Sequence, residues 1–254
     1  MTPSVALLLV LALASSQLKA PLSIPSDHGT VVTSTTKGEM RWIANWTMEP
    51  WTVSGKKAVR FTEIGKGQFS PFMQEVHWTL ESIWIADGSF FPLQFEKSVR
   101  DLQGQTLAVD KKNFDSAAGK VKFEHRNEKG ETETSTFSAA PDILTIEGIA
   151  GVLQFFPFGK SGSSGTLHGQ MLSNEPKLYD VTIESRGTEH VRTSSGEVDC
   201  YKLELVPHLG LLNIVKVFYP KTYFWFRVAE PHNWVRYQGL ENGPGSPEII
   251  MEAR

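Results

Sequence analysis

Cysteine is almost missing from this sequence. Cys200 is its single representative in 254 residues, so no disulfide can form within the chain, and a large apolar core must supply what crosslinks would otherwise supply. Beside Tyr201 in an alternating stretch, Cys200 reads as a small packed side chain rather than a reactive thiol. Positive charge gathers nowhere: 25 Lys and Arg face 28 Asp and Glu, for a net charge of -3, with no basic stripe. That excludes the clustered positive field a nucleic-acid partner requires. Metal spacings are absent as well, because His28, His77, His125, His168, His190, His208 and His232 are scattered without a His-x-x-x-His pair. No metal or other cofactor is therefore expected. Gly159-Lys160-Ser161 fails as a phosphate loop, since Gln154 stands where that loop needs its first glycine, and Gly162 to Gly165 lacks the spacing of a nucleophile elbow. Both read as linker.

Long apolar runs are confined to one place, residues 5–14 (VALLLVLALA). This run is shorter than the roughly 20 residues a membrane-crossing helix needs, and it ends in a small-x-small signature at Ala12-Leu13-Ala14. Residues 1–20 are thus expected to be a signal peptide and leader, which points to a periplasmic or secreted protein. Residues 30–254 show no composition shift and read as a single β domain.

What the sequence has in quantity is alternation. In RWIANWTME, Trp42, Ala44, Trp46 and Met48 share one parity, and in QEVHWTLESIWIA, Val76, Trp78 and Leu80 do the same before Ile83, Trp84 and Ile85 fill both faces. Tyr201, Leu203 and Leu205 alternate with Lys202 and Glu204, and residues 223–228 (YFWFRV) are apolar on both parities, as expected of a central strand covered on one face and facing a lined hollow on the other. Further strands are expected over residues 30–36, 57–64, 93–101, 106–114, 121–127 and 132–137, with turns at Asp87-Gly88, Gln103-Gly104, Ala118-Gly119 and Lys129-Gly130. Strands resume at Lys177, turns are expected at Arg186-Gly187 and Ser195-Gly196, and Ile249 with Ile250 reads as a last edge. Between Pro141 and Pro157 the spacing of Ile143, Ile146, Ile149, Ala150 and Leu153 predicts a short helix, placed across the concave face. The fold class is mainly β: a single curved antiparallel sheet, a half-barrel or meander, with one short helix.

Glu189-x-Val191-x-Thr193-x-x-Gly196, the strand Cys200-Tyr201-Lys202-Leu203, the pair Trp225-Phe226 and the strand Val235-Arg236-Tyr237 together resemble the bacterial envelope proteins grouped as domain-of-unknown-function family 3108. The resemblance spans residues 39–253. It implies a curved antiparallel sheet similar to the half-barrel of the periplasmic lipoprotein carriers, and it carries no agreed activity and no catalytic residues.

The candidate site is a wall of rings: Trp42, Trp46, Trp78, Trp84, Phe155, Phe156, Phe158, Tyr223 and Trp225, more than one sheet and one short helix are expected to cover. Arg227 and Arg236 stand at strand positions from which an anionic head group could be met. The expected function is non-catalytic binding of a hydrophobic or lipid-like molecule in the concave face. One alternative is an interaction or assembly module of the cell envelope, gripping a protein partner by an edge strand or the aromatic face. Another is a hydrolase built from Glu230, His232 and Ser246.

Overall fold

A computed structural model describes residues 18–72, 74–140, 143–159, 165–173, 177–194, 196–208, 220–243 and 245–254. The apolar run of the leader, most of the Gly159 to Gly165 linker and Ser195 of the expected Ser195-Gly196 turn lie outside these residues. The first half of the chain is an uninterrupted antiparallel meander: β1 (Asp27–Thr35), β2 (Met40–Val53), β3 (Lys56–Gly67), β4 (Val76–Asp87), β5 (Ser89–Arg100), β6 (Thr106–Asp115), β7 (Lys120–Asn127) and β8 (Thr132–Ser138). The second half contains β9 (Ile143–Thr145), α1 (Ile149–Leu153), β10 (Thr166–Leu172), β11 (Leu178–Thr193), β12 (Gly196–His208), β13 (Thr222–Arg227), β14 (Trp234–Leu240) and β15 (Glu248–Ala253). All fifteen strands belong to one sheet, in the order β8 through β1, then β15 back through β9. Among the described residues the fold is therefore mainly β with one open sheet and one short helix, as the alternation predicts.

The structure departs from the sequence reading at four places. The expected helix is reduced to the five residues of α1, because Ile143, Leu144 and Thr145 instead pair in parallel with Gln170, Met171 and Leu172 of β10. That strand, β10, was not foreseen. Its central residues are Gly169 and Gln170, which give little alternation to detect. At Arg186-Gly187 the chain does not turn: β11 runs straight through, and the extra residues form a bulge between Ser185 and Thr188. Finally, Ile249 and Ile250 are not at an edge. They sit on β15 in the middle of the sheet, paired with β1 on one side and β14 on the other.

The two true edges are β8 and β9, yet only residues 139–142 connect them in the chain. Five peptide steps reach at most about 18 Å, so the sheet has to roll until its ends approach. No ladder joins them. The seam is filled by side chains instead, with Phe114, Val121 and Phe137 from one end packed on Ile143, Leu172 and Leu178 from the other. Inside the roll, Ile149, Val152 and Leu153 of α1 join a core drawn from nearly every strand, including Ala44, Met48, Phe61, Trp84, Ile183, Leu203, Phe226 and Ile249. Two glycines make room for rings in this interior. A Cβ on Gly65 would lie 2.1 Å from the Trp78 ring, and one on Gly151 would lie 1.9 Å from the Phe61 ring.

Candidate functional site

The registers of β2 to β8 place inward side chains in transverse rows. One row runs Trp46, Glu63, Leu80, Lys97, Asp110, His125, Glu133, each residue directly opposite the next on the neighbouring strand. The adjacent row runs Met48, Phe61, Ser82, Phe95, Lys112, Phe123, Ser135. Apolar side chains dominate the β2 end of both rows, with Glu63 on β3 the exception, and charges become frequent from β5 onward. A sheet this regular thus carries a gradient from oily to ionic across its inner face.

The hollow follows that gradient. One lobe, about 260 Å³, is lined by Trp46, Met48, Phe61, Leu80, Ile149, Phe224, Tyr237 and Met251, among others. The other, about 490 Å³, is lined by Phe69, Trp78, Phe95, Phe123 and a set of ionisable groups. Trp42, Glu63, Lys97, Glu147, Glu241 and Met251 border both lobes, which makes them two parts of one space. Small-molecule sites occupy roughly 300–1,000 Å³, so the larger lobe alone is of ligand size.

Most charges at this hollow are already paired. Lys112, only 1% exposed, donates to Glu147 Oε1 at 2.6 Å and points its ammonium at the Phe95 ring. His125 Nδ1 lies 2.6 Å from Asp110, and Arg41 Nη2 lies 2.9 Å from Glu241. Glu63 accepts a 2.7 Å hydrogen bond from the Trp78 indole, but burial still holds its carboxyl above the ordinary value of 4.5. Lys97 differs. No carboxylate among the described residues comes within ion-pair distance of it. Its ammonium lies instead over the Phe69 ring at 4.2 Å and near Trp78 at 5.8 Å. Burial depresses its affinity for the proton below the ordinary 10.5, while Glu63, Glu147 and Asp110 oppose that shift from a distance.

The sequence-predicted wall is divided by the fold. Trp42, Trp46 and Trp78 line the hollow. Trp84 is fully buried behind it, its indole donating to Ser82 Oγ at 2.9 Å. Phe155 stacks on Phe90, and Phe156 and Phe158 close one end of the roll, where Phe158 stacks on Tyr201 at 4.3 Å beneath the edge of His232. None of these three rings lines the hollow. Tyr223, Trp225 and Arg227 correct the reading outright. On β13 it is Phe224 and Phe226 that face inward, and the other parity points to the opposite face of the sheet. There Trp225 packs with Val191, Cys200 and Val235 and donates to Glu189 at 2.6 Å, while Lys202 lies over Tyr223 and Trp225. Arg236 shares that face, bound to Glu252 and to the Arg192 carbonyl. Cys200 is fully buried in the same cluster, and burial pushes its thiol up to about 11.

Glu230, His232 and Ser246 do not assemble. His232 lies in the turn before β14 and bonds the Arg227 carbonyl, whereas Ser246 lies in the turn after β14, where it donates to the Gly243 carbonyl and receives the Asn242 N–H. Seven strand residues, roughly 20 Å, separate the two turns. Sequence reasoning missed Phe61, Glu63, Lys97, Lys112 and Glu147. The detectable signal was a charge at an apolar parity, as in Phe95-x-Lys97-x-Val99 and Phe61-x-Glu63.

The family profile described as "Protein of unknown function (DUF3108)" matches residues 31–239. The chain belongs to the DUF3108 family. Among curated proteins none matches it. This DUF3108 member is similar to two crystal structures. One is of a candidate exported protein with YmcC-like fold from Bacteroides fragilis NCTC 9343, at 10% identity over 93% of this chain and 97% of the other, with a TM-score of 0.32. The second is of a candidate lipoprotein from Parabacteroides distasonis ATCC 8503, at 9% identity over 93% and 97%, with a TM-score of 0.33. Likenesses this distant transfer no residue role.

Proposed function

We propose that this DUF3108 protein is an exported envelope protein that binds a hydrophobic or lipid-like molecule inside its rolled sheet and performs no chemistry on it. One observation carries this reading: the inner face leaves a two-lobed hollow with an oily end walled by Trp46, Met48, Phe61 and Leu80. Space of this kind, bounded by apolar side chains, favours an apolar guest by roughly 25 cal/mol for each Å² withdrawn from water. The apolar run at residues 5–14 supports export.

Native mass spectrometry of gently purified protein tests the proposal. A co-purifying adduct of lipid mass, released by organic solvent, supports it, and a protein that is uniformly empty and takes up no neutral apolar fluorophore such as N-phenyl-1-naphthylamine overturns it. A second reading, assembly through an edge, is favoured by β8, whose residues are largely exposed along one rim of the sheet. It predicts a stoichiometric protein partner in the same spectra.

A further inference from the structure

The oily lobe and the unpaired ammonium of Lys97 border the same space, and together they describe a ligand with two unlike ends. We infer that the hollow takes an anionic amphiphile, its tail in the lobe lined by Met48, Phe61 and Leu80 and its carboxylate or phosphate head on Lys97. This rests on the binding function proposed above and specifies its ligand.

Other groups at the hollow are spoken for or out of reach. Lys112 is held by Glu147, His125 by Asp110 and Arg41 by Glu241. Glu147 Oε2 and the indole nitrogens of Trp46 and Trp234 lack hydrogen-bond partners, but all three are occluded and offer a ligand no surface. Lys97 borders both lobes, and among the described residues its ammonium lies over rings with no carboxylate within ion-pair distance. A half-buried cation without a close counter-ion is costly, and an arriving anion supplies that counter-ion. Position matters as much as charge. Lys97 stands directly opposite Leu80 on β4, and beyond it the transverse row continues as Asp110, His125 and Glu133. A head group bound there leaves its chain running toward Met48 and Phe61. The nearby carboxylates do not cancel the attraction: Glu147 is paired with Lys112, Glu241 with Arg41 and Asp110 with His125, burial favours the neutral form of Glu63, and Glu133 lies at the exposed rim.

Displacement of N-phenyl-1-naphthylamine by four twelve-carbon probes tests the inference: dodecanoate, dodecyl phosphate, methyl dodecanoate and dodecanol. The wild-type protein is expected to bind the two anions about tenfold more tightly than the two neutral probes, the worth of one charge-assisted contact. Lys97→Met loses that preference while still binding the neutral probes, and Lys97→Arg keeps it. Because Lys97→Met removes a desolvated charge, it is expected to fold, and near-UV circular dichroism checks that it has. Equal binding of all four probes by the wild type overturns the inference and leaves apolar binding standing. An anion preference that survives in Lys97→Met also overturns it. Displacement by none of the probes, with no uptake of the fluorophore, removes the binding function and this inference together. Between the two anions, the tighter binder shows whether a carboxylate or a phosphate head is preferred.

Discussion

Lys112 Nζ lies 2.6 Å from Glu147 Oε1, and the pair joins β6 to the segment that follows β9. Since β9 is one edge of the sheet, this contact ties the far end of the roll to its opposite wall. Lys112 also lies 3.3 Å from the Ser173 carbonyl, just beyond β10. The ion pair therefore helps to fix how tightly the sheet curls.

Breaking it from one side should be expensive. Lys112→Met leaves Glu147 buried without a counter-ion and is expected to cost about 3–5 kcal/mol, read from urea unfolding. Lys112→Met combined with Glu147→Leu should recover most of the loss. A double variant as unstable as the single one would show that the charge pair is not the element that matters.

Glu63 makes stability depend on pH with a defined sign. Its folded pKa lies above 4.5, so between 4.5 and the folded value the native state holds a proton that the unfolded chain has released. Stability consequently falls as pH rises through that window. Glu63→Gln keeps an acceptor for the Trp78 indole and removes the buried charge. It should raise the melting temperature at neutral pH and make no difference below pH 4.5, a contrast that thermal unfolding at the two pH values measures directly.

Gly151 is a steric requirement rather than a flexible joint. Gly151→Ala drives a methyl group into the Phe61 ring and should destabilise by about 1–3 kcal/mol. Phe61→Leu in the same chain should relieve part of that cost. If the pair is strictly additive in chemical denaturation, the clash is not where the damage arises.

Binding and stability should separate between the two faces of the sheet. Leu80→Trp intrudes on the oily lobe and should abolish most fluorophore uptake with little effect on the unfolding midpoint. Trp225→Ala, on the other face, should cost about 3–5 kcal/mol and leave uptake per folded molecule unchanged. Equilibrium titration beside urea unfolding distinguishes the two variants.

Much of the architecture was legible because alternation is a local signal. Trp42, Ala44 and Met48 on β2, and Leu203 with its neighbours on β12, turn inward as their parity predicts. Parity does not say which of two apolar faces is the inside one, and β13 exposed that limit. Tyr223 and Trp225 look as inward as Phe224 and Phe226 until Val191, Cys200 and Val235 are seen covering them. The ionic end of the hollow was harder still. Glu63 faces in while its neighbour Ile64 is 65% exposed, an inversion of the usual pattern. Lys97, Asp110 and His125 come into line only through two separate registers, which no single strand encodes.

The placement of β15 also orders the steps of synthesis. The first eight strands need only hairpin contacts, so that half can zip up as it emerges. Backbone pairing joins strands β10 to β14 to it through β15, paired with β1 across more than two hundred residues of chain. The two halves can be stitched together only once β15 has emerged, and a nascent chain stopped before it would display β1 as a raw, unsealed border.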